Sequence, residues 1–153
     1  MRLYAPFLKN LLRYASFQNL DTDALMKLTS KPDIDVDNPE EMVEAKDYVV
    51  ILQHIIELGK GKQCGLSLGS FLNLGSLGLV LEISLSTSSL WQGILFLQDF
   101  LKYKFPIISF TITHGSEAFA LRFDSSIEEP TVKKELLNMV LYIVYRELKL
   151  MLG

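Results

Sequence analysis

Hydrophobic residues recur at helical spacing in three long segments of the chain. Near the N-terminus, apolar residues from Leu3 to Leu12 fall on one helix face, which predicts a first helix ending near Ser16. The same spacing from about Lys46 to Leu58 predicts a second helix, with Gly59 as its C-cap. A third, long helix is predicted from Pro130, because proline is favoured in the first turn of a helix.

Weaker signals lie between the first two long helices. Asp21 is a suitable N-cap for a short helix that carries Leu25 and Leu28. The polar stretch from residue 30 to residue 38 predicts a loop. Pro39 is then expected to open another helix as its first residue.

Glycines punctuate the middle of the chain and precede a further helix. Gly65, Gly69, Gly75 and Gly78 are interspersed with leucine and serine, which predicts short helical turns, the most regular from residue 77 to residue 84. Ser89-Leu90-Trp91-Gln92 is a capping box that predicts a helix running to about Lys104. Both faces of that helix are apolar, so it should be central to the fold or should meet a partner or ligand.

Strand periodicity occurs in two neighbouring segments. Residues alternate between apolar and polar over Ile107–Thr113 and Ala118–Phe123, around a polar turn, which predicts an antiparallel hairpin. A lone hairpin is marginal in water, so helices must cover it, and the Leu90–Tyr103 helix is the expected cover. We therefore predict an α+β fold, in which residues 1–153 form a mainly helical single domain with a small antiparallel β-sheet.

Composition narrows the classes of function. The 153 residues are 49% hydrophobic with a net charge of −3, and the basic residues are scattered, so the sequence offers no electrostatic footprint for nucleic acid. Cys64 is the only cysteine, which excludes an intrachain disulfide and a cysteine-based metal cluster. The apolar runs are too short to span a bilayer and no signal peptide is evident, so we expect a soluble, cytoplasmic protein with no membrane partner.

The segment G-L-S-L-G at residues 65–69 matches the nucleophile-elbow pattern G-x-S-x-G. A hydrolase would use Ser67 as nucleophile, with Asp99 and His114 as the other members of a triad. However, an elbow needs a strand before the serine, whereas a helix and a glycine stop precede Ser67. The preferred interpretation is a tight turn in which glycines let helices pack closely.

Two other motifs suggest ion binding, and each has a simpler interpretation. Residues 33–38, with Glu44, imitate an EF-hand calcium loop, but Pro39 biases Asn38 toward extended geometry, which favours a solvated acidic loop. The run from Gly59 to Gly65 imitates a phosphate loop only loosely, because it follows a helix and lacks the Lys-Ser/Thr ending. His54 and His114 have no second ligand at helical spacing, so we expect neither a metal nor a cofactor.

Six aromatic residues cluster in the sequence around the Leu90–Tyr103 helix and the hairpin. Their simplest role is in the core, and their functional role would be to line an apolar effector pocket or an interface. They are Trp91, Phe96, Phe100, Tyr103, Phe110 and Phe119.

The order of these features carries a family resemblance. It comprises the acidic loop at 35–39, G-L-S-L-G at 65–69, G-S-L-G at 75–78, S-T-S-S-L at 86–90, the aromatic helix from residue 95 to residue 103, and then the hairpin and the long helix. From Asp33 to Asp124, this order resembles the N-terminal sensor domain of AraC-type bacterial transcription regulators, in the subgroup without a cupin barrel.

The resemblance implies a domain that is not an enzyme. Such a domain senses a small effector, forms a homodimer, and passes the signal to a separate helix-turn-helix pair that binds DNA. The cluster of six aromatic residues favours an effector that is apolar or amphipathic. The resemblance also implies that Ser67 is a variable position between packing glycines.

The sequence departs from the family pattern at its C-terminal end. The helix-turn-helix region is missing, and so are the strands expected after the long helix, so the chain is either a fragment of a longer regulator or a naturally short relative. The alternative function is a stand-alone interaction or adaptor domain without a small-molecule ligand.

Overall fold

The computed structural model describes residues 1–59, 63–72 and 89–152. These residues form four strands, namely β1 (Arg2–Tyr4), β2 (Met42–Glu44), β3 (Ile108–His114) and β4 (Phe119–Ser125). They also form six helices, namely α1 (Ala5–Phe17), α2 (Thr22–Met26), α3 (Ala45–Leu58), α4 (Cys64–Phe71), α5 (Leu90–Lys104) and α6 (Pro130–Leu152). The fold is a mainly helical α+β arrangement with two small antiparallel sheets, as the sequence predicts.

The first sheet is absent from the sequence-based expectations. β1 pairs with β2 in antiparallel register, with Leu3 opposite Val43, and both side chains are buried. On the opposite face, Arg2 and Glu44 are register partners and form an ion pair of 3.3 Å. The prediction that the first helix includes Leu3 is therefore wrong, because tertiary pairing overrides the helical spacing at that residue.

The helix predicted from Pro39 is also wrong. Residues 39 and 40 form a turn, in which the Asn38 side-chain oxygen accepts from the Glu40 N–H at 3.0 Å, and the chain then enters β2. The loop before this turn is also held in place. The buried Asp47 of α3 accepts hydrogen bonds from Ser30 Oγ at 2.6 Å and from Ser30 N at 3.0 Å. These bonds tie the loop to α3 and position β2 beside β1.

The predicted hairpin is confirmed, with boundaries shifted by one or two residues. β3 and β4 pair without interruption from Ile108 opposite Ser125 to His114 opposite Phe119. Ile108 and Phe110 are buried, whereas Ser109 and Thr111 are exposed, so one sheet face packs inward and the other meets solvent.

The capping signals predicted from the sequence are confirmed at two helices. Ser89 Oγ accepts from the Gln92 N–H at 3.2 Å and opens α5, and Asp21 accepts from the Asp23 and Ala24 N–H groups and opens α2. Gly59 is the C-cap of α3. The helical piece expected at residues 77–84 lies outside the described residues.

Helix α5 covers the hairpin as predicted, and the core extends from there through the helices. Gln98 Nε2 of α5 donates to the Phe110 carbonyl of β3 at 2.8 Å. The ring of Phe105, just after α5, stacks on Phe7 of α1 at 4.3 Å and meets Tyr48 of α3 edge-on at 5.2 Å. Within the described ranges, every helix is too short or too polar to cross a lipid bilayer.

Candidate functional site

The G-L-S-L-G segment forms most of α4, whose glycines pack directly against α6. A Cβ atom added at Gly65 would lie 2.0 Å from the backbone oxygen of Glu135, and one added at Gly69 would lie 2.9 Å from the backbone oxygen of Met139. Residues four positions apart share one helix face, so the two glycines remove side chains where α4 crosses α6. The expected close packing is present, although the segment is a helix and not a turn.

Ser67 lies on the exposed side of α4, away from the glycine face. Its hydroxyl accepts from Tyr14 Oη at 3.0 Å. Asp99 is exposed on α5, and the ring of His114 lies 4.5 Å from that of Trp91 at the far end of β3. A serine within a helix, bonded to a tyrosine, lacks the strand-to-helix geometry of a nucleophile elbow.

Polar groups are buried where α4 begins. The carboxylate of Glu135 accepts from the Gly65 N–H at 2.6 Å, so a side chain of α6 satisfies one of the free N–H groups at the N-terminus of α4. Burial, together with the nearby Glu135 carboxylate, raises the pKa of the Cys64 thiol to about 11. Cys64 is therefore a neutral packing residue at physiological pH, because the thiolate is the reactive form of cysteine.

A cavity of about 110 Å³ lies beside Cys64. Its walls combine polar groups with apolar side chains, and they are Tyr14, Gln18, Leu20, Ile55, Leu58, Gly59 and Cys64. Residues 60–62 of the segment that imitates a phosphate loop lie outside the described residues.

The six predicted aromatic residues divide among separate places and do not form one cluster. Trp91, at the start of α5, lies against the hairpin tip, with its ring 4.5 Å from His114 and 6.1 Å from Phe119. Phe110 stacks on Phe123 across the hairpin at 4.7 Å. Tyr103 is 66% exposed, with Lys102 Nζ 5.5 Å from its ring centre.

The remaining two aromatic residues, Phe96 and Phe100, lie on the side of α5 that is closer to the interior. Their rings stack at 6.4 Å, and Phe100 also contacts Phe7 of α1 at 6.0 Å. Phe100 is thus the member of the predicted set that reaches the space between α1, α5 and α6.

An apolar cavity of about 40 Å³ lies in that space. All of its lining side chains are apolar, so the cavity favours apolar groups. The lining residues are Phe7, Leu72, Leu97, Phe100, Leu101, Phe105, Met139, Val140, Ile143 and Val144.

Most of these lining residues were not predicted as site residues. Phe7 and the α6 residues follow ordinary helical core spacing, which does not distinguish a cavity wall from close packing. Only the presence of apolar residues on both faces of α5 indicated that an extra apolar space lies beside this helix.

The acidic loop that imitates a calcium site is engaged in other contacts. Asp37 pairs with Lys9 at 2.8 Å, Asp35 Oδ1 accepts from the Asp37 N–H, and Glu44 is a β2 residue paired with Arg2. In residues 1–59, 63–72 and 89–152, no three His, Cys, Asp or Glu side chains gather into a group that could hold a metal ion.

Comparisons with known proteins give one assignment. A family model described as the arabinose-binding domain of AraC transcription regulator, N-terminal, matches residues 20–153. No curated protein matches the chain significantly.

Proposed function

Since the chain belongs to the family of arabinose-binding N-terminal domains of AraC transcription regulators, we propose that it senses a small apolar or amphipathic effector in the cavity between α1, α5 and α6. The family is a class of regulatory sensor domains and not of enzymes. The observation that carries the proposal is the apolar cavity itself, into which Phe100 projects from α5.

The size of the cavity suggests how binding would become a signal. Ligand pockets usually enclose roughly 300–1,000 Å³, whereas this cavity encloses about 40 Å³. An effector larger than a few atoms therefore enters only if α5 moves away from α6. Binding then favours the arrangement with α5 displaced, which is a population shift.

The hairpin would receive this displacement directly. Gln98 and Trp91, both on α5, contact β3 and the hairpin tip, so α5 cannot move without changing those contacts. The chain would act as a homodimer, and DNA would be contacted by a separate helix-turn-helix module, as in AraC-type regulators generally.

An interaction domain without a ligand is the alternative. It is favoured by Leu141 and Tyr145 of α6, which are 49% and 64% exposed. Exposed apolar side chains next to each other on one helix are typical of a docking face.

The test compares two matched substitutions on α6. Val144→Phe places a ring in the cavity, whereas Leu141→Phe adds the same ring on the exposed side of the helix. We expect native mass spectrometry of freshly purified protein to show a co-purified small molecule in the wild type and in Leu141→Phe, and to show its loss in Val144→Phe.

Binding of the amphipathic dye 8-anilinonaphthalene-1-sulfonate to purified protein provides the second measurement. We expect Val144→Phe to reduce the dye fluorescence at least several-fold relative to Leu141→Phe. Equal dye binding by the two variants, with no co-purified molecule in the wild type, would contradict the cavity as the effector site.

A further inference from the structure

The two edges of the hairpin differ in how they are protected. The β3 edge borders a groove of about 440 Å³ against α5. On that edge, the Gln98 side chain of α5 donates a hydrogen bond to the Phe110 carbonyl. In the part of the chain that the structure describes, β4 pairs with β3 alone. Among the described residues, the outer edge of β4 is thus the less protected one.

The outer edge of β4 has few of the features that prevent strand pairing. It runs for seven residues without proline, lysine or a bulge, since its register with β3 is continuous. Exposed edges of this kind are templates for another strand, and a two-stranded sheet is marginal in water.

The hydrogen-bond pattern shows which backbone groups face outward. The Gly115 N–H donates to the Ala118 carbonyl, and the Ser126 N–H donates to the Ile107 carbonyl. Hydrogen-bonded pairs alternate along an antiparallel ladder, so Arg122 and Asp124 bond to β3. The N–H and C=O groups of Leu121 and Phe123 therefore point to the outer edge of β4, away from β3.

The charges along β4 are self-complementary in one register. If a second copy pairs antiparallel about Phe123, Arg122 lies opposite Asp124 of the second copy, and this contact occurs twice by symmetry. Both residues project from the solvent-exposed face of the sheet. A pairing centred on Arg122 would instead place two arginines opposite each other, which is unfavourable.

Asp124 keeps its charge at this position. The hydrogen bond from the Ser125 N–H, followed by the contact with Lys133 at 3.1 Å, holds the pKa of Asp124 below its usual value. The acidic partner for Arg122 is therefore ionised throughout the neutral range.

The exposed face of α6 is a poorer candidate for pairing between copies. Leu141 and Tyr145 are flanked there by the exposed Lys134 and Lys149. An antiparallel pair of α6 helices centred on Leu141 would bring the Lys134 end of each copy close to the Lys149 end of the other.

We propose that the homodimer forms along the outer edge of β4, joining two hairpins into one four-stranded antiparallel sheet with Arg122 opposite Asp124 of the second copy. This inference rests on the homodimer included in the proposed function. It adds the contact surface and the register, and it leaves the effector cavity unaffected.

Charge exchange at the two positions tests this interface. Arg122→Glu and Asp124→Arg should each weaken the dimer about tenfold, because two attractive pairs become repulsive. The double variant Arg122→Glu/Asp124→Arg restores opposite charges and should regain the wild-type dimer constant. Mixing the two single variants should give a heterodimer for the same reason.

Analytical ultracentrifugation at low salt is the measurement, and Arg13→Glu, an exposed charge reversal on α1, is the matched control. We expect Arg13→Glu to dimerise like the wild type. A dimer that survives both single variants but is lost in Leu141→Glu would overturn the β4 interface and leave the proposed homodimer in place. A monomeric wild type would overturn both, without bearing on effector binding.

Discussion

Single buried residues contribute to the response of the molecule to alkaline pH. Cys64 and Tyr48 are almost fully buried, and burial raises the pKa of both groups above their ordinary values of 9.0 and 10.0. Because the folded state favours the neutral thiol, its contribution to stability is complete below pH 9 and is lost as the pH rises toward about 11.

We predict that the free energy of unfolding falls between pH 9 and pH 11, by at most about 3 kcal/mol from the thiol. Urea unfolding across this range measures the slope. Cys64→Ala should reduce the loss, and the remainder reflects the tyrosines whose pKa burial raises, Tyr48 foremost. An equally steep slope in Cys64→Ala would show that the thiol does not titrate in this way.

At the scale of elements, the contact between α4 and α6 depends on the absence of side chains. The two backbones approach so closely at Gly65 that a methyl group would overlap the Glu135 carbonyl, whereas Gly59 offers a methyl group ordinary contact distances of 3.4 Å. Gly65 and Gly59 therefore differ in the space that each leaves for a methyl group.

We predict that Gly65→Ala destabilises the fold by about 3 kcal/mol or more, because the α6 backbone must shift. Gly69→Ala should cost less, since its contact is 2.9 Å. Gly59→Ala should change stability by less than about 1 kcal/mol. Chemical denaturation of the three variants gives the order, and equal midpoints for Gly65→Ala and Gly59→Ala would rule out the close packing.

A second prediction at this scale concerns the N-terminus of α5. Ser89→Ala removes the acceptor of the Gln92 N–H and should lower the free energy of unfolding by about 1 kcal/mol. Ser89→Asp preserves an acceptor and should retain stability. Denaturation midpoints compare the two variants. Equal losses of stability in both variants would mean that the N-cap hydrogen bond does not stabilise α5.

Helix and strand types were predictable from the sequence where the periodicity runs long. The repeats of α3 and α6 and the alternation of the hairpin gave the correct elements because each buries one face against the core. β1 and β2 have three residues each, and no periodicity can be detected over that length. Their pairing depends on contacts between Leu3 and Val43, which are 40 positions apart.

The candidate site was less predictable than the fold. Sequence reasoning selected α5 and its aromatic residues, and Phe100 does line the cavity. The sequence could not predict which of the six aromatic residues line the cavity, because the direction of each ring depends on which neighbours pack against the helix. Trp91 and Phe96 lie on the same helix but reach different parts of the molecule.

For the whole molecule, the cavity proposed as the effector site would connect stability to ligand concentration. A ligand that binds the folded state alone stabilises it by about 2.7 kcal/mol at 100 times its dissociation constant. We predict that the molecule co-purified with the wild type raises the thermal midpoint when added back to stripped protein. Val144→Phe should show no such rise in a thermal unfolding scan, whereas Leu141→Phe should match the wild type.

The position of Trp91 gives the molecule an intrinsic optical signal. It is the single tryptophan of the chain, and its indole ring lies between the start of α5 and the hairpin tip. Tryptophan emission, excited at wavelengths that tyrosine does not absorb, therefore originates at a joint between α5 and the hairpin that displacement of α5 would disturb. Stopped-flow mixing could follow the opening of that joint in real time, without any attached fluorophore.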